Sequence, residues 1–580
     1  MGSDWYRSQI NQDFSPADIT GPNSGVGPNG AGAGLDQSFA GAFTLQNEYN
    51  NETNTEGLLS ANKEFGRLAL NGTFGGNIRK QTYSWNSVST AGISAPGIYN
   101  ISNAAIAPQN LQQDQDRQVN SVYGSASYTW NGWWTVEGTA RNDWSSTLPK
   151  GKNSYFYPSV NTSVVLTDMM PSLRNNYLSY LKLRGSIARV GNDANPYQLR
   201  TVFNGSANKF NGLPQFSYSD VVANSELKPE ITTSAEGGLE MSFLNGRANF
   251  DATYYAKDTR DQIFNVTVSP TTGFGSKAIN AGSVTNKGVE ALFSVIPVQT
   301  RNVQWTSTFN YARNRSKVVS LYPGVSTIIV PPSPTTGWWY VTVEARQGEP
   351  YGALVGNAYL RDSVTGQMIV DDGITQAGPR RVLGNIQPNW TGGWANTVTY
   401  KRLSISALLD IHNGGSLWSI TNWFGDYAGV LKSSLRGREV DWNKPGLVVN
   451  GLDKATCGAG SGPTADGMYH CIGGSANATT ITAEEYFQNI FPVNEGYVYN
   501  DTYVKLRELR IGFDLPQQWA GKAHASAVNI ALTGRNLHTW TKVPNVDPEV
   551  SYSTGNGTQG VEYGSIPNAR TFGISMRVTP

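Results

Sequence analysis

The feature that most constrains this chain is a strict two-residue alternation that restarts many times. Between positions 247 and 257, Ala248, Phe250, Ala252, Tyr254 and Ala256 fall on one side. Arg247, Asn249, Asp251, Thr253, Tyr255 and Lys257 fall on the other. Successive side chains of a strand point to opposite faces, so one face of such a segment is oily and the other wet. The segments are long enough to cross a bilayer when tilted, which takes about 9–11 residues. Strands of soluble sandwiches are usually shorter. The pattern predicts an all-β fold, a transmembrane antiparallel β-barrel that is apolar towards lipid and polar towards its lumen.

No run of about 18 apolar residues occurs, so no transmembrane helix is expected. The 63 Gly, 16 Trp and 28 Tyr suit turns and membrane–water boundaries, although an ordinary β-rich core uses the same aromatics. Net charge is +1, from 44 basic and 43 acidic residues, which argues against a nucleic-acid partner. Cys457 and Cys471 share one Gly-rich segment and could close a small loop by a disulfide in an oxidising compartment. Two free thiols, or a metal pair helped by His470, are the alternatives, the latter without further ligands in view.

Enzyme chemistry finds little support. His412, His470, His524 and His538 show no metal spacing and no nucleophile partner. The adjacent carboxylates Asp371-Asp372 and Glu484-Glu485 would point apart on a strand. The Gly-rich run at 21–34 has no Lys-Ser/Thr ending and reads as a loop. No catalytic, cofactor or metal site is expected. Residues 1–6 lack the basic-then-apolar pattern of an export signal, so a barrel reading carries the expectation that this chain is part of a longer exported protein.

Alternating segments are read at 119–130, 133–142, 155–166, 180–190, 231–243, 247–257, 286–296, 302–314, 389–400, 402–411, 501–514, 526–538 and 568–579, with two earlier ones at 38–49 and 65–77. The block 315–388 is one large loop, or a loop with an extra strand pair near 339–360. Short and long links alternate, as periplasmic turns and outer loops do in outer-membrane barrels. Asn131-Gly132 is a strong two-residue hairpin signal. The phase breaks between Leu506 and Leu509, which predicts a β-bulge near Arg507-Glu508. The total is roughly fifteen strands, whereas bacterial single-chain barrels use even counts; further strands are therefore expected in front.

Several segments resemble a known family. Tyr503-Val504-Lys505-Leu506-Arg507-Glu508-Leu509-Arg510-Ile511-Gly512-Phe513-Asp514-Leu515-Pro516 resembles a strand of SusC/RagA-type TonB-dependent transporters. Gly534-Arg535-Asn536-Leu537, Thr539-Trp540-Thr541-Lys542 and Asp547-Pro548-Glu549-Val550 resemble a block that follows it, and Ile566-Pro567-Asn568-Ala569-Arg570-Thr571-Phe572-Gly573 the closing strand. Upstream, Leu227-Lys228-Pro229-Glu230, Gly238-Leu239-Glu240, Tyr254-Tyr255, Asn280-Ala281-Gly282 and Asn286-Lys287-Gly288-Val289-Glu290 occur in the family's order, as do Tyr157-Pro158-Ser159-Val160 and Gly191-Asn192.

The resemblance implies that residues 1–580 are the barrel domain of such a transporter, roughly fifteen of about 22 strands, with signal peptide, N-terminal extension and plug absent. It further implies energised import of glycans or peptides across a Gram-negative outer membrane, with a SusD-like surface lipoprotein as lid and TonB acting through the missing N-terminal region. It implies no cofactor. A passive outer-membrane porin or adhesin-type barrel, and a soluble β-rich glycan-binding protein, are the other classes left open. Lumen-facing members of the alternation include Glu236, Glu240, Asp251, Thr253, Arg402 and Asp410, which either meet cargo or only hydrate and cross-pair the wall. Trp338, Trp339, Trp418, Trp423 and Phe424 either stack on sugars or the lid protein, or pack among the loops themselves. No substrate-contacting residue is assigned.

Overall fold

Sixteen strands follow one another around a single sheet in the order in which they occur along the chain. They are β1 Gly2–Phe14, β2 Ala42–Phe65, β3 Leu68–Ser89, β4 Gln109–Trp130, β5 Trp134–Ser145, β6 Ser154–Val165, β7 Leu178–Asn192, β8 Glu230–Phe243, β9 Ala248–Arg260, β10 Ser283–Gln299, β11 Val303–Ser320, β12 Trp390–Tyr400, β13 Leu403–Asn413, β14 Tyr503–Asp514, β15 Ala527–Thr541 and β16 Thr571–Thr579. The computed structural model describes residues 2–14, 42–90, 92–95, 97–330, 341–438, 446–522, 524–552 and 555–579. Among these no helix is long and apolar enough to cross a membrane. The architecture is that of an antiparallel, up-and-down transmembrane β-barrel wall.

Among the described residues the sheet has sixteen strands, where the alternation predicted roughly fifteen. The two front segments expected at 38–49 and 65–77 fall largely within β2 and β3, which run on to Phe65 and Ser89, and β1 at Gly2–Phe14 precedes them without having been expected; part of the first expected segment lies outside the described residues, as does the run 21–34. The hairpin at Asn131-Gly132 differs by one residue. Both residues have positive φ, 51° and 73°, as the sequence demands, but Trp130 pairs with Trp134. Trp133 therefore belongs to a three-residue loop. In the block 315–388, Thr342–Arg346 and Ala353–Tyr359 do form strands. They join Thr327–Ile329 and Ala377–Asn385 in a separate four-stranded sheet rather than the wall.

The chain divides into two units. The first comprises Met1–Thr162, Ile187–Thr233 and Thr259–Ala281. Its β2, β3 and β4 have 24, 22 and 22 residues, about twice a tilted crossing. One half of this sheet exposes Leu58, Phe74, Ile78 and Val122. The other half is polar on both faces, with Thr82 Oγ1 donating to Asp116 at 2.8 Å and Arg79 paired with Glu52 at 2.8 Å. These strands outrun their own oily band. Beside them, Leu148, Tyr155, Ala194 and Leu227 form a small dry core.

The second unit comprises Ser163–Ser186, Ser234–Asp258 and Gly282–Pro580. Register runs one apolar row across six of its strands: Trp305, Val398, Ile405, Ile511, Leu532 and Ile574 are successive partners. They are 37%, 40%, 43%, 42%, 56% and 77% exposed. The neighbouring row is Val303, Tyr400, Leu403, Phe513, Ile530 and Met576. A soluble monomer rarely leaves an apolar band of this extent bare; lipid is the solvent that makes it stable. Residues one step along each strand, such as Thr399, Ser404, Gly512, Ala531 and Ser575, form the opposite, small or polar face.

Candidate functional site

The bulge expected near Arg507-Glu508 is present, and it builds the densest charged cluster on the wall. Leu408 pairs with Glu508 and Leu409 with Leu506, so Arg507 is the extra residue. A bulge re-aims the side chain it displaces. Arg507 donates through Nε to Asp410 at 2.9 Å and through Nη1 to Glu549 at 2.6 Å. Two residues earlier, Lys505 has its side chain only 2% exposed and pairs with Asp547 at 2.5 Å and Glu549 at 2.8 Å. Asn568 completes the knot, donating from its side chain to Glu549 at 2.9 Å. Arg507 and Lys505 hold the Glu549 carboxyl down to about 2, Arg507 being the stronger influence. A buried ammonium needs such paired oxygens, because unpaired it pays full desolvation. Three separate sequence motifs thus meet in one place: the β14 strand, the Asp547-Pro548-Glu549 turn and the segment leading into β16.

A second cluster gathers the residues read as lumen-facing on β8 and β9. Arg184 of β7 donates to Glu240 at 2.6 Å, to Asp251 at 2.6 and 2.8 Å and to Thr253 at 2.6 Å. Gly238 gives the guanidinium its seat: a Cβ there would lie 2.6 Å from Arg184 Nε and 3.0 Å from the Ala252 carbonyl oxygen. Gly288 does the same for Tyr255, whose ring would stand 2.4 Å from an added Cβ. Glu236 stands apart, 4.0 Å from Lys257. Asp410 belongs to the Arg507 knot. Arg402 is not a wall residue: it sits in the hairpin link between β12 and β13, where its carbonyl accepts the Asp514 amide. Arg184 and Lys505 lack any sequence signal beyond their motif strands, since an alternation marks a face but not its ion-pair partners.

In the first unit the motif residues act as fasteners. Asn280 accepts the Lys228 amide and donates to the Lys228 and Asp261 carbonyls, each at 2.8 Å. Glu230 accepts the Ile263 amide at 2.7 Å. Gly191 leaves room for the Tyr155 ring.

The long links of the second unit fold into a module of their own. Trp418 and Trp423 are 0% and 1% exposed, and Trp423 stacks on Phe491 with ring centroids 3.7 Å apart. They are core residues of the module, so they present no free face to a sugar. Phe424 is half-buried against Trp423, Phe491 and Tyr563. Trp338 and Trp339 lie outside the described residues. Glu484 and Glu485 stand in the first turn of the helix Ala483–Asn489, not on a strand, and Thr482 caps it by accepting the Glu485 amide at 3.1 Å; carboxylates there suit the helix dipole. Cys457 and Cys471 are bonded, with Cα atoms 5.0 Å apart. The Cys471 amide donates to the fully buried Asp362 at 2.9 Å, which ties this loop to the turn at 362–366. Asp501, in the link before β14, lies 3.6 Å from His412, and burial pushes its carboxyl up to about 7.

The same geometry has known counterparts. The family model for "TonB dependent receptor-like, beta-barrel" matches residues 2–537. The TonB-dependent receptor P3 of Formosa agariphila is 25% identical over 94% of this chain and 54% of its own length. The TonB-dependent receptor SusC of Bacteroides thetaiotaomicron is 28% identical over 35% of this chain and 21% of its own. In fold, the RagAB peptide transporter structure superposes with a TM-score of 0.73 at 17% identity, covering 99% of this chain and 58% of that one. The chain spans about half the length of the curated relatives that it matches along most of its own. The SusC/RagA resemblance of the motifs agrees with these relatives. The chain belongs to the TonB dependent receptor-like β-barrel family.

Proposed function

We propose that this chain is the barrel portion, residues 1–580, of a SusC-like importer in a Gram-negative outer membrane. It takes up glycans or peptides under a SusD-like lipoprotein lid, energised by TonB through a region outside this sequence, and catalyses no reaction. The observation that carries the reading is the exposed apolar row from Trp305 to Ile574 backed by a polar, ion-paired face: a wall with lipid on one side and a wet passage on the other. The RagAB relative, whose name makes it a peptide transporter, supports peptide as one cargo class. The long links are then outer loops and the short ones periplasmic turns.

Fractionation tests the membrane assignment. The chain is expected in the outer-membrane fraction with heat-modifiable migration on gels; recovery as a soluble, heat-indifferent protein overturns it. Disrupting the gene in its native host tests the transport assignment. Loss of growth on a glycan or peptide source that also depends on TonB, with co-purification of a surface lipoprotein, is the expected result. Conductance in planar bilayers with no TonB dependence in the cell would identify a passive pore instead.

A further inference from the structure

We infer that a cleft in the loop module of the second unit binds one end of an acidic oligosaccharide. It has a volume of about 580 Å³, the size of a site for a small ligand. The helix Ile420–Tyr427, the turn Lys432–Leu435, the helix Ala483–Asn489 and the strand Val498–Asn500 surround it.

Three kinds of group line this space. Tyr359, Tyr486 and Tyr499 border it, and among the described residues none of their hydroxyls makes a hydrogen bond within the protein. Phenols combine apolar ring surface with a donor–acceptor tip, which matches a pyranose and its ring of hydroxyls. Asp426 is buried beneath them, and its carboxyl accepts from Tyr497 Oη at 3.2 Å and from Ser433 Oγ. At the rim stand Lys432 and Arg436, both exposed. Neither forms an ion pair among the described residues. Other cations of these loops do: Arg361 and Arg381 pair with Glu495, and Lys454 with Asp371. Two exposed cations, without an ion pair among the described residues, over a phenol-lined cleft select a ligand that carries carboxylate or sulfate on a polyol frame.

The inference deepens the proposed import function by naming a cargo class, but binding itself needs neither TonB nor a lid protein. The full chain in detergent is titrated calorimetrically with α-1,4-linked tetragalacturonate and with its carboxyl-reduced tetragalactose counterpart. Tetragalacturonate is expected to bind roughly tenfold tighter or more, and more weakly at high salt. Joint substitution Lys432→Ala and Arg436→Ala removes that preference, whereas Tyr486→Phe with Tyr499→Phe weakens both sugars about equally. Retained heat-modifiable migration shows that each variant is folded. Equal affinity for the two sugars, no binding of either, or an unaltered preference in the Lys432 and Arg436 variant overturns the inference. So does tetra-aspartate binding as tightly as the uronate. Binding without uptake in cells sinks the import reading alone; uptake without binding sinks the cleft alone.

Discussion

The wall from β11 to β16 and the loop module above it lie in one unit, yet they obey opposite burial rules. On the wall, Ile405, Ile511, Leu532 and Ile574 are 42% exposed or more, while Lys505 is almost completely covered. In the module, Leu417, Trp418, Ile420 and Trp423 are at most 1% exposed, while the ion-paired Arg381 and Lys454 sit at the surface and the hydrogen-bonded Asp362 is buried. The same amino acids are sorted by two solvents. Lipid replaces a core for the wall, so apolar side chains there need only a matched neighbour in register. The module faces water and must bury its aromatics against one another.

The seam between these regions is the Lys505 knot, and breaking it is expected to have the largest effect. Lys505→Met strands Asp547 and Glu549 beside a wall with one fewer cation, costing about 3–5 kcal/mol. Thermal melts in detergent and heat-modifiable migration should both record the loss; an unchanged melting temperature would show that the knot is dispensable. Trp423→Ala removes a stacked core ring and should cost a similar ~3–5 kcal/mol. Here the damage should stay local: limited proteolysis would cut the module while the wall keeps its heat-modifiable migration. Simultaneous loss of both would mean that the two regions fold as one.

On the wall, Ile405→Arg places a charge in the apolar row and should cost about 2–4 kcal/mol. Thr399→Lys, on the opposite face, should change stability by roughly 0.5 kcal/mol or less. Equal effects in refolding titrations would erase the distinction between a lipid face and a wet one.

A pH dependence separates the two regions further. Asp501 has its carboxyl raised to about 7 by burial, so the folded state holds a proton that the unfolded chain releases near pH 4. Its contribution is complete below about pH 4 and is lost as pH rises through about 7. Glu549 works in the other direction, because Arg507 holds it at about 2: its contribution is complete above about pH 4.5 and is lost as pH falls towards 2. Asp501→Asn should therefore raise the melting temperature by a few degrees, roughly, at pH 7 and hardly at all at pH 4. A uniform shift at both pH values would assign the effect to packing.

Much of the wall is legible in the chain because its period is local. Alternation names the face of each residue, and β5 to β16 lie within a few residues of the segments read from it. The Arg507 bulge is visible as a broken phase. The front strands were less legible, because β2 and β3 carry polar residues on both faces over half their length, which hides the alternation. The module was opaque. Its strands are short, its helices have two turns, and Trp418 and Trp423 gain their burial from residues far along the chain, such as Phe491.

By itself, then, the sequence determined the all-β class, the hairpin rhythm and the side of the wall on which most residues of β5 to β16 stand, since these depend on neighbours two residues away. Tertiary structure alone decided which polar residues meet. Lys505 reaches Asp547 and Glu549, Arg184 reaches Asp251, and Cys471 reaches Asp362 only after strand register and loop folding have brought distant segments together. An ion pair between such segments leaves no period in the chain, because its geometry is created by closing the loops between them.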